Sequence, residues 1–316
     1  MRISCVQDQL SRGLAIVGRA VGSRTTMPIL GNVLMTTDGE RLRLVATNLE
    51  LGITTWVPAR VLEEGRATVP ARLLSEFVNS LPAGRDVSID GGERGAPLRL
   101  ECERIGANVK GVDPEEFPPV ATGDDRPAVR IPAREFRSMI DQVAFCAARD
   151  ESRPVLSGVN VRMEGTVLSL AAADGFRLAI RTAELDHGLP EALDVIIPAR
   201  ALTELGRLLG GDDDEVEVSV TGNRTQVLFR VRTAGGETVL VSRLLDGQFP
   251  DLARVVPKTA STEVTVARTD LVTAIKVASI FARDSANVVR LELTPGSSDG
   301  LQPGNMEVSE IGRAHV

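Results

Sequence analysis

At 316 residues the chain is too long for one ordinary hydrophobic core, and two or three domains of roughly 100–150 residues each are expected. With 43% hydrophobic and 25% charged residues it has the make-up of a globular protein, which excludes disorder and collagen-like repeats. A formal net charge of -7 argues against a protein that coats nucleic acid through bulk positive charge, although a local basic surface can sit on an acidic molecule.

Met1-Arg2-Ile3-Ser4-Cys5-Val6-Gln7-Asp8 holds no apolar signal-peptide core, and nowhere do apolar residues run to the ~18 of a membrane span. A cytoplasmic protein with no membrane partner is expected. From Asp8 to Val21, the residues Leu10, Leu14, Val17 and Val21 fall at three- and four-residue steps, which predicts an amphipathic helix. The same spacing predicts a helix from Ala71 to Leu81 (Leu73, Phe77, Leu81), then further helices around Phe136, Ile140 and Val143, around Leu202, Leu205 and Leu209, and around Leu271, Ile275 and Ala278. Alternating runs at Leu42-Arg43-Leu44-Val45-Ala46, Val167-Leu168-Ser169-Leu170-Ala171 and Val216-Glu217-Val218-Ser219-Val220 predict half-buried strands. Turn pairs separate such runs at Asp38-Gly39, Gly91-Gly92, Glu164-Gly165, Gly222-Asn223 and Gly235-Gly236. The fold class is α+β. Glu115 to Pro127 and Pro250 to Ser261 have linker composition.

The chain repeats itself at domain length. Val69-Pro70-Ala71-Arg72-Leu73-Leu74-Ser75-Glu76-Phe77 returns 128 residues later as Ile197-Pro198-Ala199-Arg200-Ala201-Leu202-Thr203-Glu204-Leu205. Pro28-Ile29-Leu30-Gly31-Asn32-Val33 returns after 126 as Pro154-Val155-Leu156-Ser157-Gly158-Val159, and Phe117-Pro118 after 132 as Phe249-Pro250. This period far exceeds the roughly 20–50 residues of solenoid repeats, so whole domains are duplicated. A third copy begins at Val264-Thr265-Val266-Ala267-Arg268-Thr269-Asp270-Leu271, which echoes Val129 to Phe136.

Reactive constellations are missing from the sequence. There is no GxxxxGK(S/T) loop, GxGxxG, GxSxG or HExxH, and the two histidines, His187 and His315, build neither a triad nor a metal centre. Three cysteines, Cys5, Cys102 and Cys146, without CxxC spacing read as buried free thiols. Asp212-Asp213-Asp214-Glu215 reads as a solvated loop, as do Glu115-Glu116 and Asp124-Asp125. No catalytic residue, metal or cofactor is assigned.

Arg24-Thr25-Thr26-Met27-Pro28-Ile29-Leu30-Gly31-Asn32, Ala173-Asp174-Gly175-Phe176-Arg177-Leu178-Ala179 and Leu245-Asp246-Gly247-Gln248-Phe249-Pro250-Asp251-Leu252-Ala253-Arg254-Val255-Val256-Pro257 occur in that order. With the domain-length repeat, they resemble the bacterial beta clamp family, the sliding-clamp subunit of the replicative DNA polymerase, from Met1 to about Ser309. The resemblance implies repeated clamp domains, each of two β-α-β-β-β half-motifs, with helices lining a ring and sheets outside. It places a first domain at 1–121, a central domain at 128–254 and part of a third at 262–310. It also implies a non-catalytic protein. By the same resemblance, two chains are expected to close head to tail around duplex DNA, without sequence preference, and to tether the polymerase, the clamp loader and other proteins carrying clamp-binding peptides.

By motif position the resemblance assigns DNA contact to Arg24, before Pro-Ile-Leu, and to Arg149 and Arg153 in the corresponding loop of the second repeat. Arg72 and Arg200, in helix first turns, join them. Asp8, Glu76, Glu135, Asp141, Glu204 and Asp270 balance the helix arginines, which suits sliding without gripping; ordinary solvated helix faces would carry the same charges. A peptide pocket is implied at Leu156, Ala173, Gly175, Phe176, Arg177, Leu178, Pro250 and Val255, residues that could equally pack a domain junction. Where the family commonly has Thr-Asp-Gly-His-Arg-Leu, this chain has Ala173 and Phe176, which removes a hydroxyl and an imidazole. The remainder of the pocket and of the ring interface is expected beyond this chain.

Two other functions remain open on sequence alone: a carboxylate- and metal-dependent nuclease or transferase using Asp212 to Glu215 or the region of Asp174, and a peptide-binding adaptor with no DNA role. Ile311-Gly312-Arg313-Ala314-His315-Val316 equals the translation of ATC GGA AGA GCA CAC GTC, which resembles a common sequencing adapter, so 311–316 is expected to be a non-native tail, with a genuine divergent tail as the alternative. The apolar face of the last helix, at Leu271, Ile275 and Phe281, is expected to be poorly covered.

Overall fold

The structure is a computed structural model that describes residues 1–22, 27–92, 96–123, 129–150, 153–188, 192–210, 214–233, 236–283, 287–296 and 303–310. Arg24, Asp124, Asp125, Asp212, Asp213, Gly235 and the tail 311–316 lie outside the described residues. The chain divides into two compact units, Met1–Pro250 and Asp251–Val316.

The first unit runs β1 (Arg2–Val6), α1 (Gln7–Val17), β2 (Asn32–Asp38), β3 (Arg41–Thr47), β4 (Leu51–Pro58), β5 (Arg60–Glu63), β6 (Arg66–Pro70), α2 (Ala71–Ser80), β7 (Asp86–Gly91), β8 (Leu98–Cys102) and β9 (Ile105–Val109). The pattern then starts again with β10 (Val129–Pro132), α3 (Ala133–Val143), β11 (Gly158–Glu164), β12 (Val167–Ala173), β13 (Leu178–Glu184), β14 (Leu193–Pro198), α4 (Ala199–Leu208), β15 (Glu215–Val220), β16 (Gln226–Thr233) and β17 (Gly236–Arg243). The half-motif of strand, helix and three strands is therefore written four times, with β5 as one addition. Ala59 separates β5 from β4, and β5 pairs with β1 in a different sheet.

Local chemistry explains where the strands become helices. Pro70, Pro132 and Pro198 each end a strand, with φ between -55° and -49°, and the helix begins at the next residue. Proline fixes φ and lacks the donor that a continuing ladder would use. No side chain caps α1 or α3; instead the first-turn N–H of Gln7 donates to the Arg85 carbonyl at 2.8 Å and that of Ala133 to the Asp214 carbonyl at 2.9 Å. Asp214, half of the described part of the acidic cluster, thus has a main-chain role in holding α3.

The opening strand of each half-motif crosses to the sheet of the other half. β1 pairs with β7 in the order β5-β1-β7-β8-β9, while β6 pairs with β2. In the second repeat β10 pairs with β15 and β14 with β11. β17 then pairs antiparallel with β4, Leu240 opposite Ile53, giving one sheet in the order β10-β15-β16-β17-β4-β3-β2-β6. At that joint the hydroxyls of Thr55 and Thr238 meet at 2.9 Å. Helices cover one face of the sheets over a core that runs through both repeats and includes Leu10, Leu14, Leu44, Phe136 and Phe229. Linker residues Val120 and Ala121 pack on the opposite face, against Leu228, Val239 and Val241.

Helix ends and one stripe differ from expectation. α1 stops at Val17 and continues as a short 3-10 turn, Gly18–Ala20, while Leu81 and Leu209 lie just past their helices in extended backbone. Both leucines remain buried, so apolar spacing outruns the helix. On α2 the buried stripe is Ala71, Leu74 and Val78, with Leu73 exposed and Phe77 half-buried. Adjacent apolar pairs at 73–74 and 77–78 offer two overlapping stripes, and packing selects the second.

In the second unit α5 (Arg268–Ala282) buries only Ala278 and Ala282, Leu271 and Ile275 are half-buried, and Phe281 is 61% exposed. β18 (Val289–Thr294) and β19 (Asn305–Glu310) form an antiparallel pair. Among the described residues no helix is long and apolar enough to cross a membrane.

Candidate functional site

The helices of the first unit come together by side-chain bonds. Gln7 at the start of α1 donates to the Val78 carbonyl of α2 at 2.7 Å, and Arg19, just past α1, reaches Glu204 of α4 at 3.3 Å. The bond between Arg19 and Glu204 links the helical layers of the two repeats.

Beside α4 lies a cleft of about 1180 Å³, lined by the end of α3, the turn 144–149, the first turn of α4 and the end of β17. Arg149 and Arg200 both line it, as does Arg243, which sequence reading did not single out. Glu50, Asp141 and Asp246 line it too, so the charges there balance formally. Asp141 lies 3.9 Å from Arg137, while among the described residues neither Arg149 nor Arg200 has a carboxylate partner. Arg72 belongs to α2 in the other repeat, is well exposed, and bonds Glu76 one turn on at 2.8 Å. That bond holds its guanidinium above the ordinary arginine pKa.

Arg153 stands elsewhere. One of its guanidinium nitrogens lies 3.4 Å from the point a Cβ on Gly175 would occupy, which sets it against the turn between β12 and β13 and not among the residues lining the Arg149–Arg200 cleft. Gly175 has φ +92°, a conformation that favours glycine. Asp174 Oδ1 accepts the N–H groups of Phe176 and Arg177, both at 3.0 Å, while Oδ2 accepts Arg177 Nε at 2.9 Å. The main-chain donors of Phe176 and Arg177 hold the Asp174 carboxyl below the usual aspartate range. Arg177 also donates to the Phe145 carbonyl at 2.8 Å, with its guanidinium 5.4 Å from the Phe145 ring centroid. Phe176 is 99% exposed.

Of the other expected pocket residues, Leu156, Ala173 and Leu178 are half-buried in the first unit, and Pro250 is exposed at its end. Val255 is exposed in the second unit. Sequence reading missed Phe145; its signal was an aromatic just beyond the apolar stripe of α3, which by spacing alone reads as core. Among the described residues no group of three or more His, Cys, Asp or Glu is arranged to hold a metal.

Comparison with known proteins gives concordant results. The family model described as "DNA polymerase III beta subunit, N-terminal domain" matches residues 1–121, and that described as "DNA polymerase III beta subunit, central domain" matches 130–251. The beta sliding clamp of Synechocystis sp. is 35% identical over 316 aligned residues, covering 94% of this chain and 80% of the relative. That of Bacillus subtilis is 30% identical, covering all of this chain and 84% of the relative. Among solved structures, the B. subtilis DNA polymerase sliding clamp superposes with a TM-score of 0.86 at 29% identity, over 98% of this chain and 83% of that one. The DNA polymerase III subunit beta of Pseudomonas aeruginosa gives 0.84 at 28%, over 99% and 85%. By sequence and by fold, the chain belongs to the beta sliding clamps, the non-catalytic processivity subunits of bacterial DNA polymerase III.

Proposed function

We propose that this protein works in the cytoplasm as a closed head-to-tail dimeric ring around duplex DNA, holding the replicative polymerase, the clamp loader and other partners by their clamp-binding peptides. The observation that carries this reading is the joint between the repeats. β17, the last strand of one repeat, pairs with β4, the third strand of the other. Two equivalent edges remain unpaired among the described strands: β9, the counterpart of β17, and β13, the counterpart of β4. If each joint follows the β4–β17 rule, β13 takes the last strand of a third domain, and β9 takes the third strand of that domain in another copy. Domains at 1–121, 128–254 and from 262 onward would then close a ring.

Burial supports the same closure. Ala201 and Leu205 of α4 are buried, whereas their counterparts Leu73 and Phe77 on α2 are exposed and half-buried. The face that is covered on α4 is thus partly open on α2. In the ring the helices face DNA, and Arg149 and Arg200, together in one cleft, meet phosphate; Arg24 and Arg72 are assigned the same role. Arg153, on its placement beside Gly175, is assigned to the peptide pocket with Leu156, Ala173, Gly175, Phe176, Arg177, Leu178, Pro250 and Val255.

The experiment loads the protein onto nicked circular DNA with a clamp loader and ATP and then linearises the circle. Retention on the circle with loss from the linear form supports topological tethering. Equal retention on both would establish surface binding and remove the ring reading.

A further inference from the structure

Three buried side-chain atoms have no hydrogen-bond partner among the described residues: Thr36 Oγ1, Arg43 Nε and Thr54 Oγ1. All three belong to the eight-stranded sheet, on the neighbouring strands β2, β3 and β4. Met35, Leu42, Leu44 and Ile53, next to them in the chain, fill the core under the helices, so alternation turns Thr36, Arg43 and Thr54 to the opposite face. Buried polar atoms ordinarily have a partner, and three orphans on one face mark a place where a partner belongs.

Two of the three lie in a single row. Thr36 is opposite Arg66 of β6 on one side and Arg43 of β3 on the other, and Arg43 is opposite Trp56 of β4. Neighbouring strands are about 4.8 Å apart, so two guanidinium arms rise from points roughly 10 Å apart with a hydroxyl between their roots. Arg66 bonds Glu115 of the linker, a pair exposed on both sides and therefore weak. Asp38, two residues on from Thr36, is taken up by Arg41 at 3.7 Å and by the Trp56 Nε1–H at 2.7 Å. Arg43 has no carboxylate partner among the described residues. A tetrahedral phosphate can meet both arginines and the hydroxyl at once, while a planar carboxylate has two oxygens for three donor groups.

We propose that Arg43, Thr36 and Arg66 form a phosphate-binding site on the sheet face away from the helices. The Arg43 Nε–H and the Thr36 hydroxyl supply the buried donors. Arg66 closes on the anion from the other side, exchanging its bond to Glu115 for one to phosphate. The ligand is a phosphate group, free or carried as a monoester. The site shares no residue with the Arg149–Arg200 cleft or with the Asp174 turn.

Trp56 is the only tryptophan in the chain, so its emission reports on this row. The test follows that emission, with uptake measured by equilibrium dialysis, as the 316-residue chain is titrated with inorganic phosphate, ribose 5-phosphate or acetate at an ionic strength held constant with chloride. Phosphate should bind saturably and shift the emission over the same range. Arg43→Gln should weaken binding about tenfold, and Thr36→Val and Arg66→Gln about fivefold each. Arg66 is exposed, so its substitution leaves the core untouched should Arg43→Gln lower the melt. Arg130→Gln, on the edge strand β10 of the same sheet, and Thr54→Val, one row away, should stay within about twofold of the parent. Tighter binding of ribose 5-phosphate than of inorganic phosphate would name a monoester as the source, and the reverse would name the free ion. Equal weakening in Arg130→Gln or Thr54→Val would overturn the assignment to this row. So would uptake that leaves the Trp56 emission unmoved, or that survives both Arg43→Gln and Arg66→Gln with unaltered melts. Acetate binding as tightly as phosphate would overturn the choice of phosphate, and no saturable uptake of any of the three would overturn the site.

Discussion

Phe136 and Phe229 meet in the second repeat with ring centroids 6.1 Å apart, both fully buried. Phe136→Ala should cost about 3–5 kcal/mol, the usual penalty for emptying such a site, read as a fall in the urea midpoint with the slope kept. Cys5 is buried near Asp86, and burial first, then that charge, pushes its thiol from 9.0 to about 12. A neutral thiol in the folded state contributes stability that is fully present below pH about 9 and is lost as pH rises towards about 12. Chemical unfolding followed from pH 7 upwards should therefore show a decline beginning near pH 9 that Cys5→Ala reduces, with the buried Cys146 thiol, also raised by burial, contributing in the same direction. All three cysteines were legible as buried thiols because oddness and spacing leave little else, and the structure buries each. The stripe on α2 was not legible to the residue, since 73–74 and 77–78 both offer apolar choices and only the neighbouring elements choose.

At the scale of elements, the linker lies as a strap over the joint between repeats. Val120 sits where a Cβ on Gly52 would come within 2.7 Å of it, and Arg230 holds the strap by donating to the Thr122 carbonyl at 2.9 Å. Gly52→Val should lift the strap and make residues 118–123 cleavable by a protease that leaves the parent chain intact there; an unchanged digest would show that the strap adapts. α5 and α3 differ in cover: α3 buries Ala133, Phe136, Met139, Ile140 and Val143, while α5 exposes Val277, Ile280 and Phe281. Hydrogen exchange should run faster over 268–282 than over 133–143 by a factor of at least about 100 in helix-centre amides. The five predicted helices were readable from apolar spacing, and four of them bury at least one residue on the predicted period, while α2 buries Leu74 and Val78 instead of Leu73 and Phe77. β5 was not, because a strand that merely continues β4 past Ala59 has no turn to announce it.

For the molecule as a whole, affinity for DNA should carry the mark of phosphate contact. Arg149→Ala and Arg200→Ala should each weaken binding alike on any duplex sequence and flatten the plot of log K against log salt by about one. Unchanged slopes in both would place the contact elsewhere. A net charge of -7 hides this, since the two arginines come together only through the approach of the 144–149 turn to the first turn of α4.

The sequence by itself determined that domains are duplicated, that each is α+β, and that the chain resembles a clamp, because period, apolar spacing and turn residues are local and survive as strings. Tertiary structure alone decided which strand crosses to which sheet, that β17 meets β4, and that Arg153 joins the Asp174 turn instead of Arg149. Edge pairing and the meeting of distant side chains depend on backbone direction and packing between segments far apart in the chain, and no stretch of residues encodes them on its own.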